Sequence, residues 1–152
     1  MTFSLQEISD RIEIDDLLIR YTKAIDEKDW DLLDQVFTPK AELDYVSSGG
    51  IAGPFAEVKA WLANALAPFL ETLHLIGNTE VQLDGDSAKA RTAVYNPMFF
   101  AKPDGGRQHF AVGAYYNDEL VRTPDGWRIS KRVEDHAFTE GALPAELVIP
   151  DA

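Results

Sequence analysis

Apolar residues at Ile8, Ile12, Ile14, Leu17, Leu18, Tyr21 and Ile25 recur at helical spacing, behind a Ser4/Glu7 pair with the spacing of a capping box. The pattern predicts a long amphipathic helix running to about residue 27. Asp29 is placed to cap a second, shorter helix, because Trp30, Leu33, Val36 and Phe37 again fall three or four apart before Thr38-Pro39 ends it. A strand-like stretch at 41–46 follows, then the turn-forming Ser47-Ser48-Gly49-Gly50, then a third helix through Val58, Trp61, Leu62, Ala65 and Leu66.

From Glu71 onward the texture changes to β-type segments divided by Asp84-Gly85-Asp86, Pro103-Asp104-Gly105-Gly106 and Pro124-Asp125-Gly126. Four long strands, near 72–83, 88–101, 108–122 and 127–136, joined as hairpins, make a strongly curved antiparallel meander. Helices ahead of an antiparallel sheet define an α+β class. There is no internal repeat or linker, so one domain over 1–152 is expected, with its core at about 5–137. The tail from Gly141-Ala142-Leu143-Pro144 onward is broken by proline and either covers the sheet or frays.

Composition narrows the function. The chain has 152 residues, 45% of them apolar, enough for one sizeable core. A formal charge of −12 disfavours nucleic acid and anionic membrane surfaces, which leaves small molecules or proteins as partners. The absence of cysteine removes disulfides, thiol nucleophiles and thiolate metal sites. With neither a signal-like start nor a long apolar run, the expectation is a soluble cytoplasmic protein.

His74 lies in a predicted strand, on one face with Thr72, Ile76 and Asn78; it is either a general base or a histidine held by a single hydrogen bond. Asp26 flanks the apolar stripe near the end of the first helix, facing solvent or the edge of a cavity. A carboxylate there opposes the helix macrodipole, so local energetics give no reason for it. Tyr21 and Tyr45 read as core aromatics, or as phenols that donate to a substrate oxygen. His109 and His136 are scattered and no metal-ligand spacing occurs, so a metal site is unsupported. No Gly-rich loop joins a strand to a helix, so no nucleotide cofactor is expected. Arg107, Arg122, Arg128, Lys131 and Arg132 read as solvated strand faces.

The run IDDLLIRYTKAIDEKDWDLL at 14–33 and its continuation FTPKAELDY at 37–45 resemble the opening of the SnoaL-like group of the nuclear transport factor 2-like superfamily. LHLIGN at 73–78 is similar to the strand bearing the family histidine, and GAYYNDEL at 113–120 and DGWRISK at 125–131 to the last two strands. The resemblance covers the chain to about residue 137 and implies a cone-shaped α+β barrel with the helices packed in the curved sheet. Family enzymes such as scytalone dehydratase, bile acid 7α-dehydratase and hexachlorocyclohexane dehydrochlorinase are lyases that use a His–Asp pair without a cofactor.

By that likeness His74 and Asp26 are the dyad and Tyr21 and Tyr45 are pocket phenols, while strand parity makes Asn96, Met98 and Tyr115 candidates for the pocket wall. The chain departs from scytalone dehydratase at Ile25 and around 96–98, and from the dehydrochlorinase at Tyr21, where that enzyme has lysine. The implied activity is therefore a dehydratase acting on a hydrophobic polycyclic, phenolic or steroid-like hydroxy-carbonyl compound. His74 would take a proton beside the carbonyl and return it to the leaving water, without a cofactor. The alternatives are a ketosteroid-isomerase-like isomerase, a polyketide cyclase, or a non-catalytic small-molecule binder. A homodimer or higher homo-oligomer is expected, because relatives commonly pair through the outer sheet face.

Overall fold

The computed structural model describes residues 2–145. Helix α1 (Leu5–Asp26) opens on the capping box: the Glu7 N–H donates to Ser4 Oγ at 3.2 Å and the Ser4 N–H to the Glu7 carboxylate at 2.7 Å. It closes in a Schellman motif, in which the Lys28 N–H donates to the Ile25 carbonyl at 3.1 Å and the Asp29 N–H to the Ala24 carbonyl at 2.9 Å. Lys28 takes the left-handed position (φ 56°), which costs a non-glycine residue about 1 kcal/mol or more. Its ammonium is tied to the Phe69 carbonyl at 2.9 Å, so this sharp stop is fastened across the fold.

The buried face of α1 carries Ile14, Leu17, Leu18, Tyr21, Ala24 and Ile25. Ile8 and Ile12, expected on that stripe, are 43% and 58% exposed. At 100° per residue, the row running back from Ile14 passes through Asp10, whereas Ile12 sits almost on the opposite side. Asp10 is accordingly buried.

The expected second helix is a 3-10 turn (Trp30–Gln35), capped as anticipated by Asp29, which accepts from the Leu32 N–H at 3.2 Å. Strand β1 (Phe37–Asp44) starts earlier than its apolar pattern indicated, and β2 (Ala52–Pro54) and α2 (Phe55–Ala65) follow. The remaining strands are β3 (Glu71–Thr72), β4 (Leu75–Asp84), β5 (Ser87–Ala101), β6 (Arg107–Thr123) and β7 (Gly126–Gly141).

The expected meander is present as β4–β5–β6–β7, and β1 extends it by pairing parallel to β7. The sheet order is β2-β1-β7-β6-β5, with β3 and β4 both on the far side of β5, so the sheet is curved but open. Its inner face and α1 share the core of Leu17, Leu18, Leu33, Phe37, Leu120 and Ile129. Each such side chain contributes about 1.5–3 kcal/mol on full burial.

Two irregularities decide what points inward. The strand expected over 72–83 is broken after Thr72 and resumes at Leu75. Opposite the gap stands Pro97, whose carbonyl accepts from the Leu73 N–H at 3.2 Å but which has no N–H to return, so the ladder cannot run through. His74 is left at the break.

In β7 the pairing shifts between Glu119↔Lys131 and Leu120↔Ile129, leaving Ser130 as an extra residue. The bulge reverses the strand's parity, turning Arg132 inward beyond Trp127 and Ile129. The solvated face expected for the basic residues therefore fails at Arg132, which is fully buried, and at Arg122, which is held by Asp10 and Asp86.

Of the tail, Leu143 packs on a small cluster of Phe69, Met98 and Phe100, and Gln108 donates to the Ala142 carbonyl at 2.6 Å. Residues 146–152 lie outside the described residues. No described helix is long and apolar enough to cross a membrane.

Candidate active site

Asp26 is the last residue of α1, and the Schellman stop fixes its direction. Its Oδ2 accepts the backbone N–H of His74 at 2.8 Å and its Oδ1 lies 2.6 Å from His74 Nδ1. The break in the strand is what frees the His74 N–H for this purpose. The missing local reason for an acid at a helix C-terminus is thus supplied from 48 residues away. An ionised carboxylate only accepts, so the neutral ring carries its proton on Nδ1 and offers Nε2 as a base. His74 lines a cavity, while Asp26 stands behind the ring.

The cavity has a volume of about 140 Å³ and lies between α1, α2 and the inner face of the sheet. Ile25, Trp61, Leu62, Val94, Met98 and Phe110 are part of its apolar wall, and Leu143 of the tail reaches it as well. Asn96 lines it, accepting from the Thr72 hydroxyl at 2.8 Å, which leaves its amide to donate. Gly50 also lines it, and a Cβ there would stand 2.8 Å from Tyr45 Cβ, so the glycine lets Tyr45 sit where it does.

Tyr21 and Tyr45 both line the cavity and are joined through their hydroxyls at 3.0 Å. The Tyr116 hydroxyl joins the same cluster through Tyr21; three phenols hold three protons and their two mutual bonds use two, so one donor is left for a ligand. Burial pushes the Tyr21 and Tyr45 hydroxyls well above the ordinary phenol range, offset in part by Arg132. They are therefore proton donors rather than phenolates.

The Arg132 guanidinium lies 4.1 Å from the Tyr21 ring centre and 4.0 Å from that of Tyr116, and it is held by both Asp118 oxygens at 2.7 Å. Burial opposes the charge on Arg132, but the Asp118 carboxylate outweighs it and keeps the guanidinium protonated, so a fixed cation underlies the phenols. Arg132 Nη1 has no partner among the described residues.

The fold thus brings His74, Asp26, Tyr21, Tyr45, Asn96 and Met98 to one place. Tyr115 does not join them: it pairs with Ala93 on the outer face, and the Arg91 guanidinium lies 3.5 Å from its ring centre. Met98 pairs with Phe110 and Asn96 with Val112, so the inward residues of β6 are even-numbered and Tyr116 is the wall residue. His109 and His136 are exposed on β6 and β7. Three residues escaped sequence reasoning. Tyr116 was legible from strand parity, whereas Arg132 and Glu134, the latter also lining the cavity, were hidden by the Ser130 bulge.

A family model described as a SnoaL-like domain matches residues 6–133, so the chain belongs to the SnoaL-like family, with the fold of the nuclear transport factor 2-like superfamily. It is 48% identical over 136 residues to an uncharacterized protein of Mycobacterium tuberculosis, covering 89% of this chain and 90% of that one. A crystal structure of a Kribbella flavida protein aligns with a TM-score of 0.80 at 30% identity, covering 88% of this chain and 95% of that one. A type 2 hexachlorocyclohexane dehydrochlorinase aligns with a TM-score of 0.77 at 21% identity, covering 97% and 99%, a likeness of fold.

Proposed function

We propose that the protein is a dehydratase in which the His74–Asp26 pair removes a proton from carbon beside a carbonyl of a hydrophobic hydroxy-carbonyl substrate. The observation that carries this reading is the two-point hold of Asp26 on His74, at 2.8 Å to the backbone N–H and 2.6 Å to Nδ1, on the wall of an apolar cavity. A histidine held by one chance bond would not need its main chain fixed by the same carboxylate. The kinship of the fold with lyases supports the reaction class.

Nε2 takes the proton, Asp26 stabilises the imidazolium that forms, and the Tyr21–Tyr45 pair donates to the developing oxyanion. Arg132 beneath the rings favours that donation, because its charge offsets negative charge arriving at the phenols. The low dielectric of the cavity strengthens each of these interactions.

The cavity volume narrows the substrate. An engineered cavity of roughly 150 Å³ takes up one benzene ring, so a space of about 140 Å³ holds a single ring at the dyad. Further rings of a polycyclic or steroid-like compound would extend out through the mouth. The reading is tested by mass spectrometry on single-ring and fused-ring β-hydroxy ketones. Dehydration removes one water and isomerisation leaves the mass unchanged. The His74→Ala protein should lose about two to four orders of magnitude in rate; turnover within a few-fold of the parent would refute the mechanism.

A further inference from the structure

One carboxyl on the cavity wall has no part in the mechanism above. Glu134 follows Arg132 by two residues on β7 and is aimed inward by the same Ser130 bulge. It is not there to neutralise Arg132, which Asp118 already holds at both oxygens. Its backbone is fixed, because the Ser47 hydroxyl donates to the Glu134 carbonyl at 2.8 Å and accepts the His136 N–H at 3.1 Å. Next to Ser47, Ser48 lines the same wall, and its buried hydroxyl faces the Glu134 carboxyl.

Glu134 lies on β7 and His74 in the break between β3 and β4, on the far side of β5, yet both line one cavity of about 140 Å³. A ligand in that cavity is within reach of both walls. The lining contains no lysine or arginine among the described residues, so nothing on the wall would pair with an anionic group on the ligand.

We propose that Glu134 is a second catalytic carboxyl, which donates its proton to the leaving hydroxyl of an uncharged single-ring β-hydroxy ketone while His74 takes the proton from the adjacent carbon. The inference rests on the dehydratase reading and divides its two proton transfers between two residues. The C–H pair becomes the new C=C bond through the enolate, and the C–O bond breaks with its electrons on oxygen. The Glu134 proton completes the departing water, and the imidazolium proton then passes through solvent to the Glu134 carboxylate, restoring both groups.

The surroundings suit this role. Burial pushes the Glu134 carboxyl above its ordinary value, against the opposing pull of Ser48, Arg132, His74 and His136. Tyr45 from the segment after β1 and Tyr116 from β6 also face it, both as neutral phenols.

Two reactions on two probes separate the residues. Exchange of the α-hydrogens of cyclohexanone in deuterated water needs the base and no leaving-group acid. Dehydration of 3-hydroxycyclohexanone needs both. In the Glu134→Gln protein, exchange should stay within about threefold of the parent while dehydration falls by about 100-fold, the low end of the range for a general acid. Retained exchange also shows that the variant is folded with its dyad intact. Equal losses in both reactions, or no loss in either, would overturn the assignment to Glu134. If the parent protein exchanges no α-hydrogen at all, the dehydratase reading itself fails and takes this assignment with it.

Discussion

Helix α1 carries two carboxylates on its inner side, Asp10 and Asp26, and each reaches a partner far along the chain, but they do different work. Asp10 accepts from Gln6 Nε2 at 3.0 Å, Arg122 at 2.8 Å and Trp127 Nε1 at 3.2 Å. None of those donors releases a proton near neutral pH, so the cluster can only hold. Asp26 accepts from one main-chain N–H and one imidazole, and the imidazole can give up and regain its proton beside an apolar cavity. Residue type is the same at the two sites, and the Asp26 side chain is only somewhat more exposed, 16% against 5%. The titratable partner and the cavity make the difference.

The comparison can be broken at its ends. Asp26→Asn keeps an acceptor for the His74 N–H but cannot stabilise an imidazolium, so turnover should fall by about two to four orders of magnitude with little change in melting temperature. Arg132→Met leaves Asp118 buried without its cation, and denaturant titration should show a loss of about 3–5 kcal/mol. Asp10→Ala leaves a buried indole N–H unpaired, and the same titration should show about 1–3 kcal/mol, while the folded fraction turns over within twofold of the parent.

A smaller effect sharpens the contrast through pH. Burial raises the Asp10 carboxyl, but the donors Gln6, Arg122 and Trp127 outweigh it and hold the group below its ordinary 3.8. The unfolded chain binds more protons in that window, so the contribution of Asp10 is complete above 3.8 and is lost as pH falls through the folded value. Glu134 runs the other way: its carboxyl is raised from 4.5, so stability declines as pH rises through the raised value, and Glu134→Gln should flatten that decline. Melting curves of the two variants against pH should therefore diverge from the parent in opposite directions. Gly50→Ala should have the mildest effect, a few-fold loss of turnover as Tyr45 is displaced.

Much of this was legible in the chain because it is written locally. The capping box at Ser4 and Glu7, the turns between strands and the sheet meander follow from short-range patterns, and α1 and the strands lie close to where those patterns put them. The His74–Asp26 contact was legible only as a pair of candidates: an acid at a helix end with no local reason to be there, and a histidine in a predicted strand. What closes the pair is the break opposite Pro97, a long-range feature that periodicity does not carry. The Ser130 bulge is of the same kind. By strand parity alone Arg132 belongs outside, and a single extra residue moves it and Glu134 to the centre of the fold.

The most direct test of the central claim is a double-mutant cycle on cyclohexanone α-hydrogen exchange, comparing the parent, His74→Ala, Asp26→Asn and the double variant. Two groups acting on one proton are not additive, so the double variant should be no slower than His74→Ala alone, within about twofold. Losses that multiply across the cycle, or an Asp26→Asn protein as fast as the parent, would contradict a shared proton between these two residues.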